Sequence, residues 1–236
     1  MSPPERIVPD ETEPGIVALH LKRYEFARTW CDGMHVLDAG CGVGYGSAFL
    51  AQTASRVVGV DQSEEAVAYA RRRYGRPNVE FAIGDLLALD RPDAAFDVVC
   101  AFETIEHLRD QEGFLAEMRR VLRPGGTFFV STPRVGATNE APANPFHERE
   151  LSADEFERLL HLRFDEVDVY GQRRVQTARH RLVQRLDVLG LRKRLPFLRP
   201  TSRLLGTPPM AEVTLDRIEI APGAIEEATE LVAVCR

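Results

Sequence analysis

Four acidic residues recur at matching places in this chain. Asp38, Asp61, Asp85 and Glu103 each close a short apolar run or stand just past its end. A carboxylate accepts hydrogen bonds from hydroxyl and amino groups and stabilises positive charge beside it. Asp38 opens the segment Asp38-Ala39-Gly40-Cys41-Gly42-Val43-Gly44, whose glycines let the backbone turn tightly and approach a ligand with no Cβ in the way. The spacing from Gly40 is G-x-G-x-G-x-G, which differs from the G-x-G-x-x-G of a dinucleotide-binding loop. An acid two residues before the first glycine repels a pyrophosphate and suits a cationic ligand. Asp61 follows Gly44 by 17 residues, where a carboxylate accepts from ribose hydroxyls, with Gln62 beside it. Asp85 is placed to accept from an adenine amino group, and Leu86 to offer a backbone N–H.

Two histidines are candidates for acid–base work, because imidazole is the natural proton acceptor near neutral pH. His107 stands in Glu103-Thr104-Ile105-Glu106-His107 and His147 in Asn144-Pro145-Phe146-His147-Glu148. Both follow apolar runs, and Glu103 and Glu106 are placed to orient His107 or to touch a substrate. His20, with Arg23 and Tyr24, sits in an N-terminal helical segment suited to a lid. His35, His161 and His180 have no such placement. Cys31, Cys41, Cys100 and Cys235 are scattered without C-x-x-C spacing. The sequence therefore predicts neither a metal site nor a disulfide framework, and a reduced, cytoplasmic setting fits.

The elements that must hold these residues alternate. Apolar runs at 34–39, 56–60, 79–83, 96–102, TFFVST, DEVDVYG and LVAVC are separated by amphipathic stretches. Ser63 is a cap for EEAVAYARRRY, and Ser152 with Glu155 has capping-box spacing before ADEFERLLHLRF. Pro124-Gly125-Gly126 ends the helix GFLAEMRRVL. Such alternation predicts an α/β fold, a parallel sheet with helices on both faces, in which ligands sit beyond the carboxyl ends of the strands. The chain has 236 residues, 44% of them hydrophobic, a net charge of −6 and no apolar run of membrane-spanning length. One domain is expected, with no global attraction to nucleic acid.

VLDAGCGVGYGSAFLA, VVGVDQS, FAIGDLLAL, FDVVCAFETIEHL and LRPGGTFFVSTP together resemble the successive motifs of the class I S-adenosylmethionine-dependent methyltransferases, over about residues 34–133. The resemblance implies a Rossmann-like, seven-stranded methyltransferase sheet, mostly parallel with the last strand antiparallel. It implies S-adenosyl-L-methionine as cofactor and S-adenosyl-L-homocysteine as product, held by Asp38, Gly40, Gly42, Gly44, Asp61, Gln62, Asp85, Leu86, Phe102 and Glu103. S-adenosylmethionine carries an ammonium and a sulfonium and no phosphate, as the acids require. ETIEHL, NPFHERELSADEF and HLKRYEFA further resemble bacterial methyltransferases that accompany cell-surface glycan or natural-product glycosylation enzymes. Arg134 stands where those relatives commonly have Asn.

The expected activity is methyl transfer to an oxygen of a small molecule, such as a sugar, glycan precursor or natural product, with His107 and His147 as the catalytic pair. Transfer to nitrogen or carbon, an NAD-dependent oxidoreductase, and a non-catalytic methyltransferase-like binding protein are the rival readings. One methyltransferase domain over 1–236 is expected, with an N-terminal lid at 1–31 and a basic insert at 172–229 between the last two strands. Ten Lys and Arg face one acid in residues 172–203. That stretch suits an anionic or sugar-linked acceptor, a peripheral membrane contact, or a helical cap that makes a homodimer contact.

Overall fold

The computed structural model describes residues 6–175 and 210–236. Its strands are β1 (His35–Ala39), β2 (Arg56–Asp61), β3 (Val79–Ile83), β4 (Phe96–Phe102), β5 (Leu122–Pro133), β6 (Val167–Arg174), β7 (Ile218–Ala221) and β8 (Glu230–Cys235). The helices are α1 (Pro14–Arg28), α2 (Tyr45–Leu50), α3 (Glu64–Tyr74), α4 (Gln111–Val121) and α5 (Ala153–Leu160). The sheet runs β3-β2-β1-β4-β5-β8-β6-β7. β1 to β5 are parallel, β8 is antiparallel to β5 and β6, and β7 is antiparallel to β6. This is the Rossmann-like methyltransferase sheet that the sequence predicts, with eight strands among the described residues instead of seven. The added strand is the four-residue β7, an edge element in a stretch that the sequence offers as insert; a run so short carries almost no periodicity.

The chain builds outward from β1 to β3, returns to β4 on the other side of β1, and so creates a switch point between β1 and β4. Ala39 pairs with Val60, Asp61 with Ile83 and Phe102 with Ser131. The register gathers the strand ends, and the acids they carry, along one edge.

β5 is buried on both faces because successive residues of a strand point to opposite sides. Phe128 stacks on Phe164 with centroids 5.3 Å apart, while Phe129 meets Trp30 at 5.2 Å on the other face. β5 also begins earlier than TFFVST. Leu122 pairs with Phe96, the register shifts, and Thr127 then pairs with Val98, so Pro124-Gly125-Gly126 interrupts a ladder rather than preceding it.

Ser63 caps α3 and Ser152 caps α5, each accepting a backbone N–H at 3.3 Å. The capping box at α5 is half formed. The Ser152 N–H donates to Thr138 Oγ1, and Glu155 instead receives Arg149 at 2.9 Å and Arg158 at 2.8 Å, charged partners that outcompete a backbone amide. Of the basic stretch 172–203, only residues up to 175 are described; there Arg173 pairs with Glu219 at 2.6 Å and with Glu227. Among the described residues, no helix is long and apolar enough to cross a membrane.

α1 packs on one face of the sheet, with Tyr24 and Ala27 against Val36, Val98 and Phe129, and meets α2 where Gly46 removes a side chain. A Cβ on Gly46 would stand 2.0 Å from the Tyr24 ring, whereas one on Gly136 would meet nothing within 4 Å. Gly46→Ala is expected to lower stability by roughly 1–3 kcal/mol through overpacking, and Gly136→Ala to change it by less than about 0.5 kcal/mol. Urea unfolding checks both; equal midpoints would show that α1 is not seated on α2.

Candidate functional site

The glycine loop after β1 closes on itself. The Gly40 and Cys41 N–H groups donate to Val60 O at 2.8 and 3.0 Å, and the Gly44 N–H donates to Cys41 O at 3.0 Å. The Gly42 N–H donates to Asp61 Oδ2 at 2.8 Å, and Asp61 Oδ1 receives the Ser63 N–H at 2.9 Å. A phosphate-binding loop aims such amides at its ligand; here three of them are taken by β2 and a fourth by the loop itself. Asp61 is thus the brace of the loop, and its two oxygens retain acceptor sites for ligand hydroxyls. Gly42 has φ +53°, and a Cβ there would meet nothing within 4 Å, so the loop presents bare backbone to open space.

That space is a cleft of about 670 Å³ at the carboxyl edge. Of the predicted cofactor residues, Gly40, Gly42, Asp61, Gln62, Asp85, Leu86, Phe102 and Glu103 line it. Asp38 and Gly44 do not. The Asp38 carboxylate is fully buried behind the loop, accepting from Tyr24 Oη at 3.1 Å and from Ser47 Oγ at 2.6 Å. Gly44 has φ +86° at the start of α2, where a Cβ would stand 2.7 Å from Ala70 and Phe81. Both residues shape the loop from behind, whereas the sequence reading expects them to touch the cofactor directly. Charge separation from a pyrophosphate therefore rests on Asp61 and on the self-satisfied amides, not on Asp38.

Glu103 holds an uncommon backbone conformation, φ +51°, directly after β4. Its N–H donates to Ser131 Oγ at 3.0 Å while Ser131 Oγ donates to Glu103 Oε1 at 2.7 Å, a closed pair that fixes the side chain at the β4–β5 edge. Strain of this kind at a non-glycine residue costs on the order of 1–2 kcal/mol and persists where neighbours enforce it. Thr104 bridges the two sides of the switch point, its hydroxyl reaching Ala39 O at 3.3 Å.

The opposite wall carries the two predicted catalytic residues. Backbone N–H groups of Glu148 and Arg149 donate to Glu106 O at 2.8 and 3.2 Å, clamping the loop after β5 onto the turn after β4. The clamp brings the His107 and His147 rings together edge to face, with centroids 4.9 Å apart. His107 Nδ1 lies 2.9 Å from Phe146 O, and His147 Nδ1 lies 2.7 Å from Glu150 Oε1. Glu106 beside them is 1% exposed, and burial with the neighbouring Glu103 charge pushes its carboxyl well above the usual range.

Sequence reasoning placed Tyr24 only in a lid helix and did not single out Tyr45, Thr104 and Asn144, although all four line the cleft. Tyr24 packs edge-on against Phe102 at 4.9 Å; an aromatic at helical spacing gives no sign of which loop it will cover. His20 also lines the cleft, and burial together with Arg23 lowers its pKa, keeping it neutral.

Residues 37–130 match the family described as a methyltransferase domain. A protein of Mycolicibacterium smegmatis named "probable S-adenosylmethionine-dependent methyltransferase" is 49% identical over 141 residues, 58% of this chain and 54% of that protein. The chain thus spans just over half the length of that relative. An S-adenosylmethionine-dependent methyltransferase of Thermotoga maritima superposes with a TM-score of 0.64 at 18% identity, over 96% of this chain and 94% of that one. A Burkholderia thailandensis N1-methyltransferase, crystallised with 1,6-didemethyltoxoflavin and S-adenosylhomocysteine, superposes with a TM-score of 0.56 at 25% identity, over 66% and 70% of the two chains. Fold, motif order and these matches define a class I methyltransferase domain. Over residues 37–130 the chain matches this domain family, and its carboxylate-lined, phosphate-averse cleft fits the S-adenosylmethionine named for its relatives.

Burial raises the Asp38 pKa from 3.8 to about 6. The folded state therefore binds its proton at higher pH than the unfolded state does. The charged carboxylate costs about 3 kcal/mol at neutral pH, and stability is regained as pH falls through about 6 towards 4. Asp38→Asn is expected to be at least as stable as the parent at pH 7 and to lose this gain. The wild-type-minus-variant stability difference should change by roughly 2–2.5 kcal/mol between pH 7 and pH 4; a flat difference would refute the buried charge.

Proposed function

We propose that this chain transfers a methyl group from S-adenosylmethionine to an oxygen of a small molecule, in the class of sugars, glycan precursors or hydroxylated natural products. S-adenosylmethionine supplies a methyl group already activated on a sulfonium. Asp61 and Gln62 hold the ribose end, Asp85 and Leu86 the adenine, and the Gly40–Gly42 backbone with Phe102 and Glu103 the remainder. Helix α1 closes the cleft as a lid through His20 and Tyr24. The observation that carries the acceptor side of this reading is the juxtaposed pair His107 and His147, facing the same cleft as the glycine loop. Positioning supplies most of the rate in a displacement of this kind, and an oxygen acceptor must also lose a proton. The histidine pair is where the acceptor oxygen is oriented and where that proton is lost.

Two outcomes test this. Asp61→Ala should weaken S-adenosylhomocysteine binding by about 10- to 150-fold, the loss of roughly 1.5–3 kcal/mol of hydrogen bonds to a charged group. Calorimetry showing NAD binding and no response to S-adenosylhomocysteine would sink the cofactor assignment. His107→Ala or His147→Ala should lower turnover on a hydroxylated acceptor about 10²- to 10⁴-fold, with S-adenosylhomocysteine affinity unchanged within about twofold. Full turnover in both variants would reduce the acceptor side to positioning by other groups.

A further inference from the structure

We propose that Glu106, His107 and His147 form a binding site for a divalent first-row transition-metal ion of the zinc type, on the acceptor side of the cleft. One potential ligand atom from each of the three lies within 4.8 Å of the others. They come from two loops separated by the whole of α4 and β5, and the Glu148 and Arg149 N–H bonds to Glu106 O hold those loops in place. Ligands bound at about 2.0–2.2 Å in a tetrahedral site stand about 3.3–3.6 Å apart, so the three side chains draw together by up to about 1.5 Å when an ion enters.

Each imidazole is already backed as a metal ligand is. Phe146 O and the Glu150 carboxylate are acceptors, so the ring nitrogen facing each of them, Nδ1, carries the hydrogen. The lone pair of each ring then lies on Nε2. A carboxylate or carbonyl behind a histidine fixes the tautomer and ring orientation of metal-binding histidines in this way. A separate observation comes from Glu106. Its side chain is 1% exposed, and neither carboxylate oxygen makes a hydrogen bond of ordinary geometry, yet the residue lines the cleft. A buried carboxylate is costly until a cation meets it. Two imidazole nitrogens and one carboxylate oxygen suit zinc or iron(II) rather than magnesium or calcium, which take oxygen ligands. Three protein ligands also leave a position for an exogenous oxygen.

This inference rests on the methyl-transfer reading for its consequence. A hydroxyl bound to the ion is acidified: its O–H bond breaks, the proton passes to water, and the electron pair stays on the oxygen held at the ion. The histidine pair then acts through the ion.

The test uses the full chain, stripped with chelator and dialysed. Cobalt(II) titration followed by visible absorption should show one ion bound per chain, displaced by zinc. Glu106→Gln, which is nearly isosteric, and His147→Ala should each weaken cobalt binding at least about 100-fold. His161→Ala, at the exposed end of α5, should not. Thermal melting and S-adenosylhomocysteine calorimetry confirm that each variant folds. Absence of saturable uptake by the wild type, or unchanged affinity in both folded ligand variants, overturns the site. If S-adenosylhomocysteine binds and chelator leaves turnover intact, the metal proposal fails while methyl transfer stands. If cobalt binds as described but S-adenosylhomocysteine does not, the metal site stands and the methyl-transfer reading fails.

Discussion

A single buried carboxylate links the parts of this molecule that matter most. Asp38 lies at the end of β1 with no solvent exposure and takes one hydrogen bond from Tyr24 of α1 and one from Ser47 of α2. Those two donors join the N-terminal helix, the central strand and the helix after the glycine loop at one atom group. The loop in front of Asp38 then has a fixed base, and its amides are consumed by Val60, Asp61 and Cys41. Burying a charge is unfavourable, and this one is tolerated because both hydroxyls favour the ionised form against the desolvation that opposes it.

The cleft has two walls of different origin. One is the parallel sheet, whose register aligns Asp61 and Glu103 at one edge and leaves the switch point between β1 and β4 open. Its chemistry is that of carboxylates and bare backbone, suited to a cationic ligand with hydroxyl and amino groups. The other is made by two loops held together through Glu106 O, with the Gln111 amide donating to Ile105 O at 3.1 Å and Arg149 Nη1 donating back to Gln111 at 3.2 Å. Its chemistry is that of two imidazoles and a buried glutamate.

The sequence by itself determined the alternation of strands and helices, because apolar periodicity and caps such as Ser63 act over a few residues. It also determined that the acids after successive strands share one edge, since parallel strands in register must align their ends. His107 and His147 were legible as partners for the same reason: each follows the carboxyl end of a neighbouring strand. Only tertiary structure decided what each acid does. Asp38 and Asp61 look alike in sequence, yet Tyr24 and Ser47 seal the first from the cleft, while the second stays at its lip. Tertiary structure also decided that Glu106 is buried beside the two histidines, since the loops that bring them together dock through the Glu106 carbonyl, which no local pattern encodes. The edge strand β7 belongs with these, because four residues pair with β6 through backbone groups that every sequence carries.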